Sequence, residues 1–448
     1  MLALRLTRVA HPAVHLRRLL VATAAAGTGF LLLSALGYAM AHPTHSTAAL
    51  LRLSWCAIPL AATVYLAIAV ARTDPGTKPR PGLSALGLGP ARLMAIAALN
   101  TALACTLGSL LALLVFLHLR GDLTGMPFDG AAKDFLAANR SLPVPAALTL
   151  LAVLPVLAST AVAVTLRPRD LPSPTGRARV YGRFGAYDTK TNRETFGTYG
   201  RFGARLFSRA EAAPSARPSG EDTPQAPESE APLPTPADAP ELIRVTKSPT
   251  GLPWGIAVLA AGLAVESYAD TTEATPRTTL PGGLAVGPVG VLAGWSLTAL
   301  GLVLAAPGLT HLCGRLLQTA RPGALRLLAG RILMAEATRI GRPLGVVCAV
   351  ASAAFASVTL YDDGDTLAFG PLTTLGGVVV AGCTLATLLT AAVEARQARA
   401  DTTEALLRLG APATMLRSAA ALRTAAVLAL FVPLTLLVAD LAALPLAR

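Results

Sequence analysis

The chain has 448 residues, of which 53% are hydrophobic and only 14% charged, and its mean hydropathy is +0.56. Soluble globular chains carry about 25% charged residues, so this composition excludes an ordinary soluble domain and specifies an integral membrane protein. The net charge of +13 does not call for nucleic acid, because the cytoplasmic loops of membrane proteins collect lysine and arginine.

Uncharged runs place the expected spans in chain order, at about 20 residues per crossing. They are Leu19–Ala41, Leu53–Ala71, Leu93–Leu117 and Leu142–Leu166, then Gly251–Val265, Gly283–Leu309, Pro343–Leu360, Gly370–Val393 and Thr424–Leu444. The first has a basic start and no short-cored, cleavable pattern, so it reads as a retained helix rather than a signal peptide. All should be helices, since a helix satisfies its own backbone in lipid. The expected fold is therefore all-α and polytopic, with about nine transmembrane helices. Arg5, Arg8, Arg17 and Arg18 precede the first span and predict a cytoplasmic N-terminus in the cell membrane. Arginines then crowd alternate loops, at Arg72–Arg92, after Arg167, at Arg315–Arg342 and at Arg396–Arg423. The intervening loops are neutral or acidic, including "ESYADTTEATPRTT", which begins at Glu266.

Residues 167–250 are expected to be a disordered cytoplasmic linker, basic from Arg167 to Arg209 and acidic and proline-rich from Glu211 to Glu241. "YGRFGA" occurs twice within it, at Tyr181–Ala186 and Tyr199–Ala204. A low-complexity duplication, lipid contact and nucleic-acid contact all fit that pattern; the first is preferred, and no nucleic-acid partner is expected.

Two stretches echo each other: "GLSALGLGPARLMAIAALNTA" from Gly82 and "ALLRLGAPATMLRSAAALRTA" from Ala405. Leu86-Gly87 falls on Leu409-Gly410 at a separation of 323 residues. At that separation Leu83 falls on Leu406, Leu93 on Leu416 and Thr101 on Thr424, and the flanking spans fall near one another too. This predicts two structural repeats. The first covers 1–166 with four spans, a two-span connector covers 251–324, and the second covers 325–448 with three. A counterpart of the fourth span would fall beyond Arg448, so the second repeat is expected to lack it.

The segment Glu404–Leu422 predicts a specific device. Leu406, Leu409 and Leu416 recur near helical spacing, Arg408 and Arg417 project elsewhere, and Gly410-Ala411-Pro412 breaks the helix. A short helix against the membrane, a tight turn and a helix entering the bilayer should result. An ordinary arginine-anchored connector would read the same way.

"DTTEALLRLGAPATMLRSAAALRTAAVLAL" resembles the cytoplasmic loop and following helix of the FtsX-like permease family, at Glu404, Leu406, Leu407, Leu409, Gly410 and Ala411. "LRLLAGRILMAEATRIGRPLGVVCAVASAAFA", from Leu325, resembles that family's basic lead-in to the first helix of a repeat. The resemblance implies the permease subunit of an ABC transporter, moving a lipid or a hydrophobic or peptide compound. It implies that Glu404, Leu406, Leu407, Arg408, Leu409, Gly410 and Ala411 contact a separate ATPase subunit. The first copy, Leu83, Leu86, Gly87, Pro90 and Arg92, is then a degenerate coupling loop, with Pro81 where Glu404 sits. Unlike many family members, the chain has only a short loop after its first helix. Membrane lipid is an expected partner; self-pairing and pairing with a second permease stay open. The alternatives are a non-transporting scaffold or regulator derived from such a permease, and an unrelated polytopic protein whose repeat is an accident of alanine–leucine composition.

The chain has no GxxxxGK[ST], HExxH or GxSxG. It is not expected to be an enzyme or to hold a metal or other cofactor. His42 and His45 read as a solvated loop, Asp362, Asp363 and Asp365 as a polar cap, and the five cysteines as small apolar residues. With only Asn100 and Asp440 in the expected spans, no proton relay or ion path is predicted.

Overall fold

The computed structural model describes residues 12–74, 90–123, 130, 132–133, 136, 140–167, 251–271, 278–279, 285–286, 289–319, 323–361 and 370–443. The linker expected at 167–250 lies outside them except for Arg167. The helices are α1 (Pro12–Ala41), α2 (Ser46–Trp55), α3 (Ala57–Thr73), α4 (Pro90–Arg120) and α5 (Val144–Leu166), then α6 (Gly251–Thr271), α7 (Val289–Thr319), α8 (Ala324–Tyr361), α9 (Pro371–Ala398), α10 (Ala400–Arg408) and α11 (Ala413–Ala443). Two-residue strands, Thr278–Thr279 and Ala285–Val286, pair antiparallel between α6 and α7. Among the described residues, nine helical stretches are long and apolar enough to cross a membrane, with α2 and α3 forming one of them.

Two helices outrun the expected spans. α8 begins at Ala324 rather than Pro343, so the arginine-bearing lead-in and the span are one rod with Pro343 inside it. α6 continues past Val265 to Thr271, which takes Glu266 out of the expected loop and into the helix. The carboxyl is tolerated there because it packs against α7, where the Thr298 hydroxyl donates to Glu266 Oε1 at 3.1 Å.

The 323-residue separation reappears in the helix ends and in side-chain register. α4 and α11 begin and end at positions that separation relates. A Cβ on Gly108 would lie 2.7 Å from that of Ala25, and one on Gly29 would lie 3.0 Å from that of Ala112. The corresponding positions in the other half are Cys348 with Phe431, which share a buried cluster, and Ser352 with Thr435, where the Ser352 hydroxyl donates to the Thr435 carbonyl at 3.0 Å. α1 packs on α4, and α8 on α11, in one register. The residues differ in size, however. Gly108 brings α4 hard against the α1 backbone, whereas the ring of Phe431 fills the space between α8, α11 and Ala306 of α7.

The two halves meet mainly through α3 and α9. Val21, Ala25, Leu66, Ala67, Cys105, Leu154 and Ala158 form one buried cluster with Cys383 and Ala386 of α9. Leu60 packs onto it, and Thr63 reaches the Cys383 thiol at 3.8 Å. Leu60 and Thr63 are the 323-residue counterparts of Cys383 and Ala386, so each half offers the same patch to the other, as in a two-fold contact. Thr63 also bonds Thr28 of α1 at 2.9 Å, which leaves the hydroxyls in this apolar seam satisfied.

α6, α7 and α8 form an antiparallel layer held by glycine. A Cβ on Gly255, Gly262 or Gly301 would run into the backbone of the facing helix, and Gly341 and Gly345 of α8 meet the backbone of Pro307 and of Leu302 and Val303 in α7 in the same way. Apolar side chains gain little by leaving lipid for another helix, so small residues that let backbones touch supply the attraction.

Candidate functional site

α10 is only nine residues long because its end is specified locally. Gly410 has φ +86°, a left-handed conformation that favours glycine. Its N–H donates to the Leu407 carbonyl at 3.0 Å and that of Ala411 to Leu406 at 3.0 Å. These two bonds are the Schellman motif, which consumes carbonyls a helix end leaves unpaired. Pro412 follows and cannot extend the helix backwards, and α11 starts at Ala413. The short helix, turn and new helix expected from Glu404–Leu422 are therefore present.

The predicted site residues gather on this element. Glu404 and Arg408 pair at 2.6 Å across one helical turn, and both are exposed. Such a pair stabilises by about 0.3–0.5 kcal/mol, so it adds little to the stability of the fold. Leu406 is half-buried, Leu407 exposed and Leu409 84% exposed. Gly410 is exposed too, and Ala411 half-buried. In the first copy, Leu83, Leu86 and Gly87 lie outside the described residues. Pro90 is the first residue of α4, and Arg92 lies exposed two residues along.

Arginines before and after α10 approach one buried carboxylate. Arg399 stands between α9 and α10, and its Nε lies 2.7 Å from Glu336 Oε1 on α8. Arg423, on α11, places Nη1 3.8 Å from Glu336 Oε2. The Arg399 Nε–H donates to the Ala395 carbonyl at 3.0 Å, so its contact with Glu336 is ionic. Glu336 is 7% exposed, and the Arg423 Nε has no hydrogen-bond partner. One carboxylate thus serves two guanidiniums, and neither contact is saturated. Glu336 and Arg423 lie just outside the expected spans that begin at Pro343 and Thr424, and their pairing offsets the cost of burying them within long helices. Glu336 escaped the sequence reading, although it is the only acid between Arg326 and Arg342.

The end of the bundle that carries α10 follows from the packing. Gly29 meets Ala112 and Gly37 approaches Phe116, so α1 and α4 are parallel; Gly27 meets Val379 and Leu31 approaches Gly376, so α1 and α9 are antiparallel. α10, after α9, therefore lies at the end where α1 begins, with Arg17 and Arg18. Arg18 pairs with Asp74, just beyond α3, at 2.9 Å. Each half thus ties the end of its second spanning segment to its first helix by an ion pair, with the signs exchanged: Arg18–Asp74 in one, Glu336–Arg399 in the other.

All five cysteines are buried and free. His42 stacks on Tyr38 at 4.4 Å, and the Arg52 guanidinium lies 3.5 Å over the same ring. No group of three or more metal-ligating side chains occurs among the described residues.

The helices and their packing define an all-α, polytopic membrane protein. No family model matches the chain, and no curated protein or solved structure matches it either.

Proposed function

We propose that this chain is the permease subunit of an ABC transporter in the cell membrane, with a cytoplasmic N-terminus. A separate ATPase drives it to move a lipid or a hydrophobic or peptide compound. The observation that carries this reading is α10, an exposed amphipathic helix held between two spanning helices whose flanking arginines both grip Glu336. A partner that pushes on Leu407 and Leu409 displaces a short rigid element rather than a slack loop. Through Arg399 and Arg423 the displacement loads α8, the first helix of its half. The common register of α1 on α4 and α8 on α11 supports a duplicated permease-like unit, and the counterpart patches of α3 and α9 support a two-fold arrangement around the path of transport. The basic start of α1 lies at the same end of the bundle as α10, which agrees with arginine-rich loops facing the cytoplasm.

The test is co-purification of the full chain from its native membrane with a Walker-motif ATPase. The wild-type chain is expected to retain the ATPase, and Gly410→Asp combined with Glu404→Lys to lose it. Leu409→Asp should do the same without touching the turn. Absence of an ATPase from the wild-type preparation, or its full retention by both variants, would refute the reading.

A further inference from the structure

The end of the bundle opposite α10 holds a cleft of about 480 Å³ between the C-terminal turns of α4 and the start of α5. Its walls are of two kinds. Leu113, Leu117 and Leu148 make an apolar side, and Arg120, Asp122 and Arg140 line the other. Arg120 is 3% exposed. One of its terminal nitrogens donates to the Arg140 carbonyl, while its Nε lies 3.5 Å from Asp122 Oδ2 without a hydrogen-bond partner. A buried guanidinium with one nitrogen left unsatisfied is costly unless a further acceptor reaches it.

The backbone builds the site. Gly121 ends α4 with φ +93°, its N–H donating to His118 and that of Asp122 to Leu117 at 3.0–3.1 Å. This Schellman turn brings Asp122 back beside Arg120. The Ala132 N–H donates to the Leu119 carbonyl at 3.0 Å, and Leu136 is buried against Gly37 and Phe116. Arg120 is thereby fixed beside the apolar side of the cleft, at the C-terminal end of α4.

We infer that this cleft binds the anionic head group of an amphiphile, with the start of its chain along Leu113, Leu117 and Leu148. Two arginines against one aspartate leave the polar side positive, which selects a phosphate or carboxylate head over an ammonium. The apolar side selects a head that carries a chain. The inference stands independently of any ATPase, since binding is read on this chain alone.

The experiment is native mass spectrometry of the full-length chain in a neutral detergent, titrated with dodecyl phosphate, inorganic phosphate and dodecanol. Dodecyl phosphate is expected to bind, and the other two to bind at least about tenfold more weakly, because each lacks one of the two matched features. Arg120→Gln should weaken dodecyl phosphate about tenfold or more. Because that change can also loosen the turn at Arg140, two further variants decide the matter. Leu148→Trp should abolish binding by filling the cleft, and Asp122→Asn should strengthen it severalfold by removing the competing carboxylate. Equal binding of inorganic phosphate (a bare anion site), equal binding of dodecanol (an apolar groove only), or unchanged affinity in both Leu148→Trp and Asp122→Asn would overturn the inference.

Discussion

Gly410→Ala isolates the contribution of the turn that ends α10. A Cβ at Gly410 would meet no heavy atom within 4 Å, so the substitution introduces no clash. The only new cost is conformational: φ is +86°, and an L-residue pays roughly 1–2 kcal/mol for left-handed backbone. The alternative conformations open the two bonds from Gly410 to Leu407 and from Ala411 to Leu406. An increase of that size raises the open fraction roughly 5–30-fold. Hydrogen exchange of the two amides in the purified full chain reads this directly, and they should exchange faster by about that factor. Amides in the middle of α11 should be unaffected, since the turn is exposed and local. Gly410→Asn should recover much of the protection, because asparagine tolerates the left-handed region. Exchange unchanged within twofold in Gly410→Ala would show that the turn is not set by backbone conformation. If the reading of α10 as a lever is correct, the same variant should also lower transport more than it lowers ATPase binding, because the contact surface survives while its stiffness does not.

Glu336→Gln should destabilise the chain by about 3–5 kcal/mol, because it leaves Arg399 and Arg423 facing each other without a counter-charge; thermal unfolding in detergent checks this, and adding Arg423→Gln should recover part of the loss. Gly255→Leu should prevent α6 from docking on α7, since even a Cβ there strikes the Ala305 backbone, whereas Gly382→Ala, with open space around it, should be neutral or slightly stabilising; yield of folded protein separates the two. Exchanging the charges of Arg18 and Asp74 should be tolerated as a pair, while Asp74→Arg alone should lower the unfolding temperature, which a double-mutant cycle measures.

Much of the architecture was legible because lipid leaves the backbone few choices. Long uncharged runs must be helices, and their number and order follow from counting them. The device at Glu404–Ala411 was legible for a local reason: leucines at helical spacing, then Gly410 and Pro412, specify a short helix and a stop through contacts made within a few residues. The 323-residue echo was also visible along the chain, and the ends of α4 and α11 share that separation.

What the chain order could not reveal were choices that depend on which helix lies opposite. Glu266 reads as the start of a polar loop until Thr298 is found beside it. Glu336 reads as one acid among arginines until α9 and α11 bring Arg399 and Arg423 to it. Arg120 reads as part of the loop beyond the span expected to end at Leu117 until Gly121 turns Asp122 back beside it at the edge of a cleft. A charge near lipid is affordable only with a partner, and partners contributed by other helices are fixed by packing, which the order of residues along the chain does not record.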